Sequence, residues 1–374
     1  MASEFKPKKF GCGRYIQEPN ATQIIGREAV MLGAGKALIV AGKKAWALAG
    51  ERIEKSLTEA GVSFELFYLL TDCTYETLAY LTDKLIPEVK PDIVIGVGGG
   101  KVMDMAKATS TKTGLPIITC PTSTATFNCW SAMSVMYHPD HKPLDRIWRE
   151  TEIDCAIIDT QILVESPAKL FASGIADCFA KYIETGMMME SIGLMNTPAD
   201  MYTSKILAGL TNEITLNKGE KAFRDVKNHE LTQEVEDCVF AVVATTAMAA
   251  AANYNNKKAL VSSGNGLKSC AFAHALYYAV RQEFTEECWG YLHGEIVGLG
   301  CRAAMVSYGR SEFECKNFNR FLDALEQPRT LRELGIDTTD ENMERLVDSM
   351  MTVWGKHPPE HRPIMREAME LIRG

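Results

Sequence analysis

Three residues stand where an apolar helix ordinarily carries no charge. His274 lies in "CAFAHALYY" (270–278), His293 opens "HGEIVGLG" (293–300), and Asp177 sits among small and apolar residues in "SGIADCFAKYIE" (173–184). A buried imidazole or carboxylate needs a partner that compensates its lost hydration. One carboxylate and two imidazoles form an oxygen–nitrogen donor set suited to a divalent ion such as zinc or ferrous iron, with positions left for water or substrate. The three share no local motif. On spacing alone the plainer alternative is favoured, in which the histidines bond core carbonyls and the aspartate caps a helix. His138, His141, His229, His357 and His361 lie in polar surroundings and are expected at the surface.

A second stretch, "GVGGGKVMD" (96–104), could hold an anion. It is neither of the two familiar glycine-rich signatures: Lys101 stands where a dinucleotide fingerprint needs its last glycine, and Ile95 and Val102 break the P-loop pattern. The physical logic survives. A buried strand ends in three glycines and a helix begins, so unshielded backbone N–H groups and the positive helix end converge on a spot that suits a pyrophosphate. The alternative is a sharp turn whose glycines only permit close helix–strand packing.

These groups must be positioned by larger elements. "KALIVAG" (36–42), "FELFYLL" (64–70), "DIVIGVG" (92–98) and "LPIITC" (115–120) read as strands, and the stretches 44–61, 74–90 and about 101–113 read as helices, the last closed by Gly114. Alternating strands and helices with continuously apolar strands predict a parallel sheet covered on both faces. The turn-rich "HPDHKP" (138–143) predicts a hairpin or excursion before "CAIIDT" (155–160). Ser166 and Pro167 read as N-cap and first residue of a helix. Beyond them strand signals nearly vanish. The expected architecture is an α/β dinucleotide-binding domain with a parallel sheet over residues 1–162, followed by an all-α domain over 163–374.

Composition narrows the function classes. The 374 residues are 46% hydrophobic and 24% charged, as in a globular protein with two cores. A net charge of −8 argues against nucleic acid as a partner. The apolar run 238–252 is broken by Thr245 and Thr246 and suits a buried helix better than a membrane span. Eleven cysteines without a C-x-x-C pair predict reduced thiols in a cytoplasmic protein, and "MASEFKPKKFGCGRY" lacks a signal-peptide core.

Five segments, in order, resemble the iron-containing alcohol dehydrogenase superfamily and specifically its glycerol-dehydrogenase branch: "GVGGGKVMDMAK" (96–107), "CPTSTATFNCWSAMSVMY" (120–137), "SGIADCFAKYIE" (173–184), "AHAL" (273–276) and "LHGEIVGLG" (292–300). The resemblance implies a nucleotide-binding α/β domain, a helical domain and an active site in the cleft between them. It assigns the pyrophosphate of NAD or NADP to Gly98, Gly99, Gly100, Lys101 and Val102. Thr122 and Ser123 would line the cofactor, with Ser131, Met133 and Tyr137 contributing from the next segment. Asp177, His274 and His293 would be the metal ligands and hence the catalytic group. Other branches add a histidine four residues after the aspartate. Here that residue is Lys181, so the resemblance implies a three-ligand site, more like zinc than iron. Family members are commonly homo-oligomers acting on a small-molecule substrate.

Two departures bear on specificity. Where NAD-using members place an aspartate on the adenosine ribose, this chain reads Ala41-Gly42-Lys43-Lys44. Without the carboxylate a 2′-phosphate is no longer repelled, and the lysines could attract one, so NADP is weighed equally with NAD. The lysines also suit a solvated helix start. Where glycerol dehydrogenases bind polyol hydroxyls through an aspartate, Phe127 stands here, which opens the substrate to less hydroxylated, carbonyl-bearing or anionic compounds. The expected reaction is hydride transfer between NAD(P) and a small alcohol or polyol and its ketone or aldehyde. Two alternatives are a dehydroquinate-synthase-like NAD- and metal-dependent cyclase and a nucleotide-binding sensor without activity.

Overall fold

The computed structural model describes residues 10–253, 271–353 and 359–374. The described chain divides into two compact units, one running to Ser166 and including His229–Leu231, the other formed by Pro167–Asn228 and the chain from Thr232 onward.

The first unit is built on a six-stranded sheet of β1 (Cys12–Glu18), β2 (Lys36–Ala41), β3 (Ser63–Tyr68), β4 (Ile93–Gly98), β5 (Ile117–Pro121) and β8 (Ile153–Asp159), ordered β1-β8-β5-β4-β2-β3. Every neighbouring pair is parallel. All six residues of β4 are buried, as a strand covered on both faces requires. The polar edge strand β1, "CGRYIQE", gives no apolar run to read, and its place comes from a partner strand far along the chain, β8. Between β5 and β8 the chain leaves the sheet as an antiparallel hairpin of β6 (Met133–Tyr137) and β7 (Pro143–Trp148).

The second unit is helical throughout its described residues. Its helices include Ala168–Ile192, Ala199–Lys227, Phe272–Glu283, His293–Ser307, Glu312–Ala324, Asp340–Met350 and His361–Glu370. The first begins one residue later than the sequence suggests. Ser166 turns its hydroxyl back to the Leu163 carbonyl at 2.7 Å, closing the preceding helix Thr160–Glu165, so it cannot cap the next one. Helix Ala199–Lys227 has little apolar signature because the middle of its buried stripe is made of small or polar residues, Ser204, Ala208, Thr211, Thr215, Gly219 and Ala222, with larger apolar groups only toward its ends at Met201, Phe223 and Val226. Among the described residues one helical stretch, Gln233–Ala252, is long and apolar enough to cross a membrane, and 72% of its apolar window is buried inside the protein.

Candidate functional site

Three helices of the second unit bring the sequence-separated donors together. Asp177 lies on helix Ala168–Ile192, His274 near the start of Phe272–Glu283, and His293 opens His293–Ser307. The Asp177 Oδ1 atom is 3.2 Å from His293 Nε2 and 3.6 Å from His274 Nε2. One ligand atom from each residue lies within 4.8 Å of the other two. Asp177 is 2% exposed, and Oδ1 is buried without a properly oriented hydrogen bond although both imidazoles are at ion-pair distance. Three ligand atoms this close together, one of them a buried carboxylate oxygen without a hydrogen bond, fit a divalent cation.

Backbone contacts set this convergence. A Cβ on Gly294 would fall 1.8 Å from the Ser173 carbonyl oxygen, so only glycine lets the His293 helix approach the Asp177 helix so closely. There the Gly294 N–H donates to Ser173 Oγ at 3.0 Å. Glu295 reaches back to the Leu292 N–H at 2.7 Å, capping the turn that carries His293. A Cβ on Gly300 would lie 2.6 Å from Ala273 Cα, so the His274 and His293 helices also meet backbone to backbone. The Tyr277 ring stands edge-on to His293 at 4.1 Å between centroids.

Electrostatics prepares the triad for a cation. Burial pushes the Asp177 carboxyl up, but His293 and then His274 reverse this and hold it well below the ordinary carboxylate range. Burial keeps His293 below its usual value, a shift Asp177 only partly offsets. For His274 burial is outweighed by Glu184, and its pKa is raised.

Glu184 is the functional residue that sequence reasoning missed. It is 6% exposed, and its two oxygens accept from the His274 ring Nδ1–H at 2.8 Å and backbone N–H at 3.1 Å. A proton held on Nδ1 leaves the Nε2 lone pair for a ligand. Lys181 approaches that same Nε2 at 3.5 Å. Asp177, Lys181 and Glu184 follow one another at spacings that share a helix face, and that polar face in an apolar helix was the available signal.

In the first unit, Gly42 and Gly98 lie at the carboxyl ends of β2 and β4. The chain turns outward from β2 to β3 but to the other side from β4 to β5, so these ends flank the switch point where open α/β sheets bind ligands. The glycines there have different duties. A Cβ on Gly96 would meet Ala106 Cβ at 2.8 Å and one on Gly98 would meet Val102 at 2.9 Å, so these two serve helix–strand packing. At Gly99 and Gly100 the nearest atoms are 3.7 Å and 3.5 Å away. They keep the first turn of helix Gly100–Thr113 bare, and its N–H groups have no intrahelical partner. A Cβ on Gly42 would lie 3.6 Å from Val102, while Lys43 and Lys44 are exposed in the first turn of helix Lys43–Glu59, which has no acidic residue there. Lys101 pairs with Asp72 and lies over the Tyr137 ring at 5.7 Å.

The segment after β5 is pinned to the same helix. The Thr122 N–H donates to the Gly98 carbonyl at 3.0 Å, and Ser123 Oγ is the nearest atom to a Gly99 Cβ. Asn128 Nδ2 donates to the Gly100 carbonyl at 2.9 Å. Beneath it, fully buried Lys107 donates to the carbonyls of Asn128 at 2.9 Å, Ser131 at 3.0 Å and Met133, with Asp104 Oδ1 3.3 Å away. Ser131 and Met133 therefore serve this cradle through their carbonyls. Phe127 is half-buried in the turn closed by Trp130 N–H on its carbonyl at 3.1 Å.

Of the remaining histidines, His361 contradicts the surface expectation. It is 2% exposed, because it begins the stripe with Met365, Ala368 and Met369 that helix His361–Glu370 buries. His141 pairs with Asp72 at 2.6 Å and His229 meets the Val164 carbonyl at 3.1 Å. His357 lies outside the described residues.

Comparison with known proteins agrees with this arrangement. Residues 12–160 match the family model described as iron-containing alcohol dehydrogenase. Over 340 residues the chain is 27% identical to a glycerol dehydrogenase of Thermotoga maritima, covering 90% of this chain and 87% of the relative. A glycolaldehyde reductase of Halobacterium salinarum is 29% identical over 349 residues, covering 91% and 87%. The solved structure of a probable glycerol dehydrogenase from Sinorhizobium meliloti superposes with a TM-score of 0.80 at 21% identity, covering 99% of this chain and 98% of that one. Residues 12–160 thus carry the match to the iron-containing alcohol dehydrogenase family, and the chain over most of its length is similar to glycerol dehydrogenases and shares their fold.

Proposed function

We propose that this metal-dependent, NAD-linked alcohol oxidoreductase holds its divalent ion on Asp177, His274 and His293 and seats the cofactor pyrophosphate at Gly98, Gly99 and Gly100. The reading rests on one observation above others, the buried Asp177 Oδ1 that faces two imidazole nitrogens without a hydrogen bond. When bound, the ion supplies Lewis acidity toward the substrate oxygen and the nicotinamide supplies the hydride acceptor or donor. The chain contributes the placement. Glu184 fixes the His274 tautomer, Tyr277 packs on His293, and the first turn of helix Gly100–Thr113 offers N–H groups to the pyrophosphate.

Zinc suits the site better than ferrous iron, because three donors with Lys181 in place of a fourth match a catalytic zinc centre. The substrate is a small alcohol, or the corresponding aldehyde or ketone. NADP is accommodated beside NAD, since two lysines at the positive end of helix Lys43–Glu59 gain from a nearby phosphate. Lys43→Asp is expected to lower the NADPH-to-NADH ratio of kcat/KM; an unchanged ratio removes Lys43 from cofactor choice.

Metal analysis of the purified protein, paired with NADH and NADPH oxidation against aldehydes and ketones, tests the whole reading. His274→Ala should abolish bound metal and turnover while leaving cofactor affinity mostly intact. Full turnover in a metal-free preparation overturns it, and product formation without net cofactor oxidation would favour the cyclase alternative.

A further inference from the structure

Asp177 stands well inside its helix and His274 in the first turn of its own, but His293 is the very first residue of helix His293–Ser307. Its backbone therefore follows the preceding turn, 284–292, as much as the helix behind it. Along that turn Glu286, Glu287, Trp289 and Gly290 are exposed, so apolar burial does little to fix the stretch that leads into His293. Two cations grip it instead.

The Arg281 guanidinium donates to the Cys288 carbonyl at 2.8 Å and to the Tyr291 carbonyl. A planar fork that takes two carbonyls fixes their separation and their direction together. The Lys169 ammonium donates to a carbonyl between them, that of Gly290, at 3.1 Å, and lies 3.2 Å from Glu295, the carboxylate that caps the Leu292 N–H. These cations come from different elements. Lys169 is in the first turn of helix Ala168–Ile192, which carries Asp177. Arg281 shares a face of helix Phe272–Glu283 with His274 and Tyr277. Its guanidinium carbon lies 5.7 Å from the centroid of the Tyr277 ring, the ring that stands edge-on to His293. Each helix that carries one donor thus also holds the turn that leads to the third.

Resting on the metal reading above, we infer that Arg281 and Lys169 are positioning residues for metal binding, which hold the turn 288–291 so that His293 already faces Asp177 and His274 before an ion arrives. A donor held in place binds without first being ordered, whereas a loose one loses that freedom on binding and weakens the complex. Charge alone acts in the opposite sense, because a cation near the site repels a dication. Removing either cation therefore separates the two effects by sign.

The test titrates Arg281→Met and Lys169→Met with zinc against a chromophoric chelator. Zinc affinity should weaken roughly tenfold or more in Arg281→Met, as for loss of a group that supports a metal-bound histidine. It should weaken severalfold in Lys169→Met, whose side chain is half exposed, and this variant carries the test alone if Arg281→Met does not fold. Arg281→Lys, which keeps the charge and loses the fork, should also bind zinc more weakly than wild type. In the metal-free proteins, hydrogen exchange read by mass spectrometry should quicken in peptides covering 286–293 and stay at the wild-type rate in helix Ala199–Lys227. Zinc affinity unchanged or tighter in both Met variants overturns the inference, and so does faster exchange spread over the whole helical unit, which would mark a general packing role. If wild type takes up no zinc, the metal reading has failed instead, and the exchange comparison still decides whether the two cations hold the turn before His293.

Discussion

Replacing Glu184 by glutamine removes one charge and changes one oxygen into an NH2 group. In the wild type two oxygens face two donors, the His274 ring N–H at 2.8 Å and its backbone N–H at 3.1 Å. Glutamine has one acceptor for the two donors. The backbone N–H cannot move its proton, but the ring can, and the imidazole relieves the N–H···H–N clash by shifting its proton to Nε2. That satisfies the buried groups and takes the lone pair away from a metal. Restoring the binding tautomer leaves a buried donor unpaired, at about 1–3 kcal/mol. The expected result is zinc affinity weaker by roughly 10–100-fold, the usual effect of losing a partner behind a metal-bound histidine. A competition titration with a chromophoric chelator measures it, with circular dichroism to confirm that the fold is retained. The pH dependence has a definite sign. Glu184 is the main group that raises the His274 pKa above its ordinary 6.5, so in acid the wild-type imidazole takes up a competing proton sooner than the variant's. The gap between the two proteins should narrow as pH falls below the histidine range. Zinc affinity unchanged within about threefold at neutral pH, against that 10–100-fold expectation, would refute the tautomer argument.

Two further predictions separate function from packing. Gly99→Ala places a methyl group where its nearest neighbour is 3.7 Å away, so unfolding stability should be nearly unchanged while NAD(P)H affinity falls; Gly96→Ala, whose Cβ would meet Ala106 at 2.8 Å, should lose stability instead. Equal cofactor affinity in Gly99→Ala and wild type would return the glycine loop to a purely structural role. Glu28, with its side chain 1% exposed, is pushed up by burial but held below its ordinary 4.5 by Arg14 at 2.6 Å and Arg27 at 2.7 Å. A depressed carboxyl stabilises the fold above the unfolded-state pKa and loses that contribution as pH falls through the folded one. Urea unfolding between about pH 5 and pH 3 should therefore show a steeper loss for wild type than for Glu28→Gln, and parallel profiles would contradict this.

The parts of the fold that were legible in the sequence are those whose signature is local. β2 and β4 are apolar runs buried on both faces, and helix Gly100–Thr113 ends where Gly114 takes φ 74°. β1 owes its place to a partner distant in the chain and helix Ala199–Lys227 to the helices packed on either side of it, and neither writes an apolar period of its own. The site divides the same way. Asp177, His274 and His293 stood out because each is a polar residue in an apolar helix; their spacing alone favoured the plainer reading, the family resemblance made them metal-ligand candidates, and the structure brings their ligand atoms within 4.8 Å of one another. Glu184 was invisible singly, because a glutamate near the end of a helical segment is ordinarily solvated. His361 misled for the opposite reason: the prolines and charges around it mask a buried stripe that begins at its own side chain.

The contact of Gly294 with Ser173 has a consequence for how such a protein can diversify. The spacing of two donors is set where main chain meets main chain, and the Gly300 contact with Ala273 does the same for the third. Side-chain exchanges around the triad leave those contacts in place. Residue 181, one turn from Asp177, can pass from lysine to histidine or to a neutral group without respacing the donors, so the spacing of the three groups and the chemistry beside them can change independently.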